Sequence, residues 1–235
     1  MNHHTPYFEL RETLAKPGCP VCALAQKAVK RSLESLAYEY ANEYSVQERL
    51  RRARGFCNLH AWQLAELPGV ALDVAILSRA TLLEIRDVFA KKERPALSSF
   101  WERWRPSQTE PAASLAAALE PQAPCPICQL RTETEVMYLN LLLEHLDEPE
   151  LRQALEQAGG LCLPHLRMAL QQAQGPAAAL SALVELEERV VSRLLDELAE
   201  LIRKYDYRFQ AEEAGAERDS WLRANALIAG IRGLK

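Results

Sequence analysis

Apolar residues recur three and four apart along most of the chain, and β-branched alternation is absent. In residues 23–42, Leu24, Ala28, Leu36 and Tyr40 mark one face of an amphipathic helix. Ser45 with Glu48 three residues on reads as a capping box, so a second, short helix is predicted to start there and to stop at Gly55. Helix continues over 60–66 and 70–92, with Gly69 at the turn. The same order then returns. A helix through "QLRTETEVMYLNLLLEHL" meets a break at "DEPE", a short helix follows over "LRQALEQAGG", and helices 165–173 and 177–204 are divided by Gly175 and Pro176. Residues 214–230 add a last helix with no earlier counterpart. These patterns predict an all-α fold.

The order repeats because the sequence does. "CPVC" (Cys19, Cys22) precedes "GFCNLH" (Cys57, His60), and "CPIC" (Cys125, Cys128) precedes "GLCLPH" (Cys162, His165). All 6 cysteines of the chain belong to this pattern. Self-similarity at a fixed period decides an architecture, so two tandem helical repeats are expected, 1–94 and 122–208. A proline-rich linker, 95–121, separates them, and 209–235 form a helical C-terminal extension. Pro95, Pro106, Pro111, Pro121 and Pro124 mark the linker and its end, and "FWERW" within it would hold a short anchored turn or helix.

Cys₃His is a standard ligand set for structural zinc. Two cysteines separated by two residues reach one ion across a tight turn, which Pro20 and Pro126 help to fix. A cysteine and a histidine at i and i+3 share a helix face. Pairing within each copy is the economical assignment. It puts Cys19, Cys22, Cys57 and His60 on one ion, and Cys125, Cys128, Cys162 and His165 on the other, two Zn²⁺ per chain. Zinc is favoured over an iron–sulfur cluster, because clusters prefer all-thiolate sets. A redox dithiol would use C-x-x-C, but it would leave Cys57 and His60 unexplained and lacks a βαβ context. Four protein ligands leave no open position, which argues for structure rather than hydrolysis.

Composition narrows the remainder. The chain has 235 residues and a net charge of −4, with 49% apolar and 26% charged residues, as in ordinary globular proteins. Residues 1–106 carry 16 Lys/Arg against 12 Asp/Glu, too weak a basic excess to argue for nucleic acid. No apolar run approaches the roughly 18–20 residues that span a bilayer, so membrane insertion is not expected. The N-terminus shows no cationic start followed by an apolar core, and a cytoplasmic location is expected. The basic run Lys27, Lys30, Arg31, Arg49, Arg51, Arg52 and Arg54 reads as a solvated face, and His145 as a helix-face residue. Trp101 and Trp104 read as a linker segment docked on the core. His3 and His4 matter mainly as adventitious metal binders. After the long helix, Asp206 and Arg208, among Tyr205, Tyr207, Glu212, Glu213 and Glu217, close a salt-bridge network or line a polar site.

"CPVC", "GFCNLH", "CPIC", "GLCLPH" and "DYR" together resemble an uncharacterised family of small bacterial proteins, a domain of unknown function. The resemblance covers nearly the whole chain. It implies a helical bacterial protein with metal bound at the paired motifs, and it implies no activity. The leading functional expectation is a zinc-stabilised scaffold for an unknown protein or small-molecule partner, without catalysis. A thiol-based redox or metal-responsive switch is the second, and an enzyme with its site near Asp206 and Arg208 the third.

Overall fold

The computed structural model describes residues 4–92, 110–172, 175–209 and 211–231. Among them the chain forms eleven α-helices and no strand. The all-α expectation holds, and so do most helix positions. Helices α1 (His4–Leu14), α2 (Pro20–Ser35), α3 (Tyr44–Arg52), α4 (Asn58–Ala65) and α5 (Ala71–Lys92) come first. Next are α6 (Glu110–Leu119), α7 (Pro126–Glu144), α8 (Pro149–Ala158) and α9 (Leu163–Gln172), then α10 (Ala177–Lys204) and α11 (Ser220–Ala229). A π-helical turn, Leu36–Tyr40, extends α2, and a 3₁₀ turn, Ala216–Asp219, leads into α11. Helix α6 lies inside the stretch expected to be linker. Trp101 and Trp104 fall outside the described residues, as do His3 and the side chain of His4.

The capping box does not form. Helix α3 starts two residues earlier than a Ser45 cap would place it, with Glu43 extended at its N-cap and no side-chain cap bond. Glu48, the expected reciprocal partner, instead bonds Arg51 at 2.8 Å, one turn along. That ion pair competes for the carboxylate that the box would need.

The helices sort into two compact units. One comprises Met1–Ala28 and Arg131–Lys235, and the other Val29–Leu130. Each has its own core. In the first, Leu10, Leu14, Val21, Leu139, Leu142, Leu143, Leu146 and Leu155 pack with Leu183 and Leu186. Leu183, Leu186, Val190 and Leu194 are buried at helical spacing along α10, which turns one stripe inward. In the second, Val29, Leu33, Leu36, Leu50, Leu64, Val70, Leu77 and Ile127 form the core. Helix α11 lies against α9 and α10. It is tied down by Arg223, which reaches Glu197 (2.5 Å) and Asp219 (2.8 Å).

Candidate metal centres

Each expected ligand pair sits at the N-terminus of a helix. Cys19 directly precedes α2, Cys57 α4, Cys125 α7 and Cys162 α9. In all four the cysteine carbonyl accepts the first intrahelical bond, from Ala23 (3.3 Å), Ala61 (2.9 Å), Gln129 (3.0 Å) and Leu166 (2.8 Å). These cysteines therefore act as N-caps, and the second ligand follows three residues later in the first turn. The C-P-x-C pairs were expected on tight turns. They sit on helix starts because proline suits the first helical position, where its missing N–H costs nothing. Thiolates there also face the positive ends of helix dipoles.

The four half-sites combine differently from the expectation. Cys19, Cys22, Cys162 and His165 form one cluster, and Cys57, His60, Cys125 and Cys128 the other, with all ligand atoms within 4.8 Å of one another. The within-copy pairing is thus overturned. Helix lengths supply the reason. Helix α2 with its π turn has 16 and 5 residues, a rise of roughly 31 Å away from the C-P-V-C motif. Helix α3, with 9 residues, retraces only roughly 14 Å. The connector to Cys57 folds onto the end of α3, with the Gly55 N–H on Leu50 O at 2.8 Å, rather than running on. In the second half, α7 has 19 residues against 10 in α8, and the Gly160 N–H likewise turns back to Leu155 O at 2.9 Å. Each G-x-C-x-x-H motif meets the C-P-x-C of the other half, and each cluster lies wholly within one compact unit.

In the first centre the His165 Nδ1 lies 3.4, 3.3 and 3.2 Å from the sulfurs of Cys19, Cys22 and Cys162. Cys22 and Cys162 Sγ are 3.5 Å apart. In the second, His60 Nδ1 lies 3.1, 3.7 and 3.4 Å from the sulfurs of Cys57, Cys125 and Cys128. Cys57 and Cys128 Sγ are 3.5 Å apart. A tetrahedron with zinc–sulfur bonds of about 2.3 Å and zinc–nitrogen bonds of about 2.0 Å has edges of roughly 3.5–3.8 Å. The donor set and its spacing fit such an ion.

The titration of the thiols reflects how closely they are packed. Burial, then neighbouring Cys162 and Cys22, push the Cys19 thiol well above its usual range. In the second centre burial, then Cys57 and Cys125, push Cys128 up to about 12. Burial also raises Cys57, but the His60 N–H, the Cys128 and Cys125 thiols and the Leu59 N–H outweigh it, so its net shift is downward. Three cysteine sulfurs converge in each cluster, and a divalent ion held there would relieve the repulsion between their thiolates.

Outer contacts distinguish the centres. The other ring nitrogen of His165, Nε2, lies 3.4 Å from the buried Glu135 carboxylate, itself 3.3 Å from Arg131. Such a carboxylate–histidine pair fixes ring orientation and raises ligand basicity. Glu135 lies two turns beyond Cys128 on α7 and was not singled out from the sequence. At Gly160, with φ of +73°, a Cβ would come within 2.5 Å of the Glu187 carboxylate, which accepts the Leu161 N–H at 2.6 Å. Glu187 thus holds the turn that delivers Cys162.

The other candidates are local. Asp206 and Arg208 pair with each other at 2.7 Å in the turn after α10, and Tyr205 and Tyr207 there are exposed. His145 bonds Glu148 at 2.8 Å. Lys204 and the Gly215 N–H hold the Glu217 carboxyl down at about 2 and fasten the loop before α11.

The family of unknown function DUF6062 matches residues 6–233. The chain belongs to this family. It is also similar, at 23% identity, to an uncharacterized 23.9 kDa protein in the xynA 3′ region of Caldicellulosiruptor sp. (strain Rt8B.4), over 94% of this chain and 99% of that protein. No solved structure matches. No described helix of this DUF6062 member is long and apolar enough to cross a membrane.

Proposed function

We propose that this protein is a helical scaffold held together by two structural Zn²⁺ ions, ligated by Cys19, Cys22, Cys162 and His165 and by Cys57, His60, Cys125 and Cys128. The supporting observation is that each cluster supplies four protein donors at tetrahedral spacing. A filled coordination sphere makes the ion a clip for two helix starts, with no position left for water or substrate. Binding free energy at such sites is folding free energy. Elemental analysis of protein lacking residues 1–4 tests this. Two equivalents of zinc support it. Iron with visible absorbance would replace the metal, and no metal would sink the proposal.

A second reading, a redox switch, draws on one observation. Cys57 and Cys128 are half-buried while their sulfurs lie 3.5 Å apart. Two thiolates, one peroxide and two protons would give one disulfide and two waters, releasing the second ion. Peroxide that releases one zinc and joins Cys57 to Cys128 by mass spectrometry supports the switch. Zinc retained until the protein unfolds removes it.

A further inference from the structure

Beside the second centre, a cleft of about 380 Å³ opens between the end of α3 and the faces of α4 and α5. Its size falls in the range of small-molecule sites. Leu50, Phe56, Leu64 and Leu77 give it an apolar wall. Thr81 is no free donor there, because its hydroxyl already donates to Leu77 O at 3.3 Å.

Arg54 lines this cleft with its side chain 10% exposed. Its Nη2 donates to Ala118 O at 2.7 Å, and its Nη1 lies 3.5 Å from Glu84, a half-exposed carboxylate. Its Nε is shielded from solvent and has no hydrogen-bond partner. A buried donor of a permanently charged group is costly to leave unpaired.

The backbone sharpens the point. Arg54 is the one non-glycine with positive φ among the described residues, at +55°. The matching position before the second hexapeptide is Gly159, with φ of +100°. Glycine adopts this conformation without strain and arginine does not. The chain therefore keeps a strained, buried arginine where its own second half uses glycine. Strain of this kind concentrates at ligand clamps.

We propose that this cleft binds a small amphipathic monocarboxylate, with its alkyl chain along Leu50, Leu64 and Leu77 and its carboxylate on Arg54. The guanidinium supplies the charge complement, and Nη1, held only by the 3.5 Å ion pair with Glu84, supplies the donor. The site does not depend on which metal fills the centres.

Calorimetry on the metal-loaded full chain tests this with octanoate and octan-1-ol, which share the alkyl chain and differ in the head group. Octanoate is expected to bind one per chain, about tenfold or more tighter than octanol. Arg54→Gly relieves the backbone and removes the guanidinium, so it should cut octanoate affinity about tenfold while leaving octanol binding and zinc content unchanged. Ser78→Trp, at an exposed position on the rim, should block both ligands. Equal affinity for the two ligands, no binding of octanoate, or undiminished octanoate binding by Arg54→Gly overturns the proposal. If circular dichroism shows that variant unfolded, Ser78→Trp decides: folded protein that no longer binds octanoate supports the site, and folded protein that still binds overturns it.

Discussion

The two centres share a ligand set but not an environment. In the first, Cys22 and Cys162 are 1% exposed and Cys19 and His165 are buried. The C-terminal segment closes over it. Gly230, with φ of +81°, follows α11 and sits so near that a Cβ would lie 3.4 Å from Cys22 Sγ. The Ile231 N–H also bonds that sulfur. The second centre has a buried His60, but Cys57 and Cys128 remain half-exposed. The position that matches Glu135 in the first half is Val29, whose side chain has no hydrogen-bond acceptor. Ligand identity sets which ion is held. Cover and outer contacts set how readily the ion leaves and how much structure leaves with it.

Removing one ligand from each centre makes the sharpest test of that difference. Cys22→Ser and Cys128→Ser should each lower zinc from two equivalents to one. Loss of a structural metal ranks among the largest single-residue effects, above about 4 kcal/mol. Cys22→Ser should be the more damaging, since its centre is sealed inside the larger core. Denaturant titration with metal analysis reads both. Loss of both ions from either variant would show that the centres are not independent.

The helices were legible in the sequence because apolar spacing, glycine stops and prolines agreed over long stretches. Even the ends of α10 match, at residues 177 and 204. All eight residues of the two Cys/His clusters were legible too, because no cysteine fell outside the motif. Their pairing was not, because spacing along the chain says which residues could share an ion and not which helix start faces which. Comparing 21 outgoing residues in α2 and its π turn with 9 returning in α3 would have exposed the mismatch. Glu187 and Glu135 were missed for another reason. A glutamate on a helix reads as solvated until burial is known, and both are buried.

Glu187 gives the next largest difference between the halves, since Thr81 is the residue nearest a Cβ placed on Gly55. Burial pushes the Glu187 carboxyl up to about 7 from an ordinary value of 4.5, with the Leu161 N–H pulling the other way. Below about 4.5 both folded and unfolded chains hold the proton. Between 4.5 and 7 only the folded chain keeps it, so this residue's contribution to stability falls as pH rises. The loss is complete above about 7, at roughly 3 kcal/mol. Zinc binding strengthens over the same range as thiols ionise, so the quantity to read is wild type against Glu187→Gln at each pH. The variant should gain progressively from pH 4.5 to 7 and then level off. A difference that stays flat would mean the carboxyl titrates normally.

The smallest expected effect concerns Glu135 alone. Glutamine there keeps the shape and an acceptor for the His165 ring but removes the charge that raises its basicity. Outer-sphere changes of this kind cost about 10–100-fold in metal affinity. Competition with a chromophoric chelator should show one zinc equivalent of Glu135→Gln weakened by that factor and the other unchanged, because the second centre has Val29 at the matching position. The direction matters as much as the size. In wild type the covered centre should give up its ion last, and weakening it should draw the two release steps together. If Glu135→Gln instead shifts the ion that leaves first, the more exposed centre is the tighter one, and cover does not govern release in this fold.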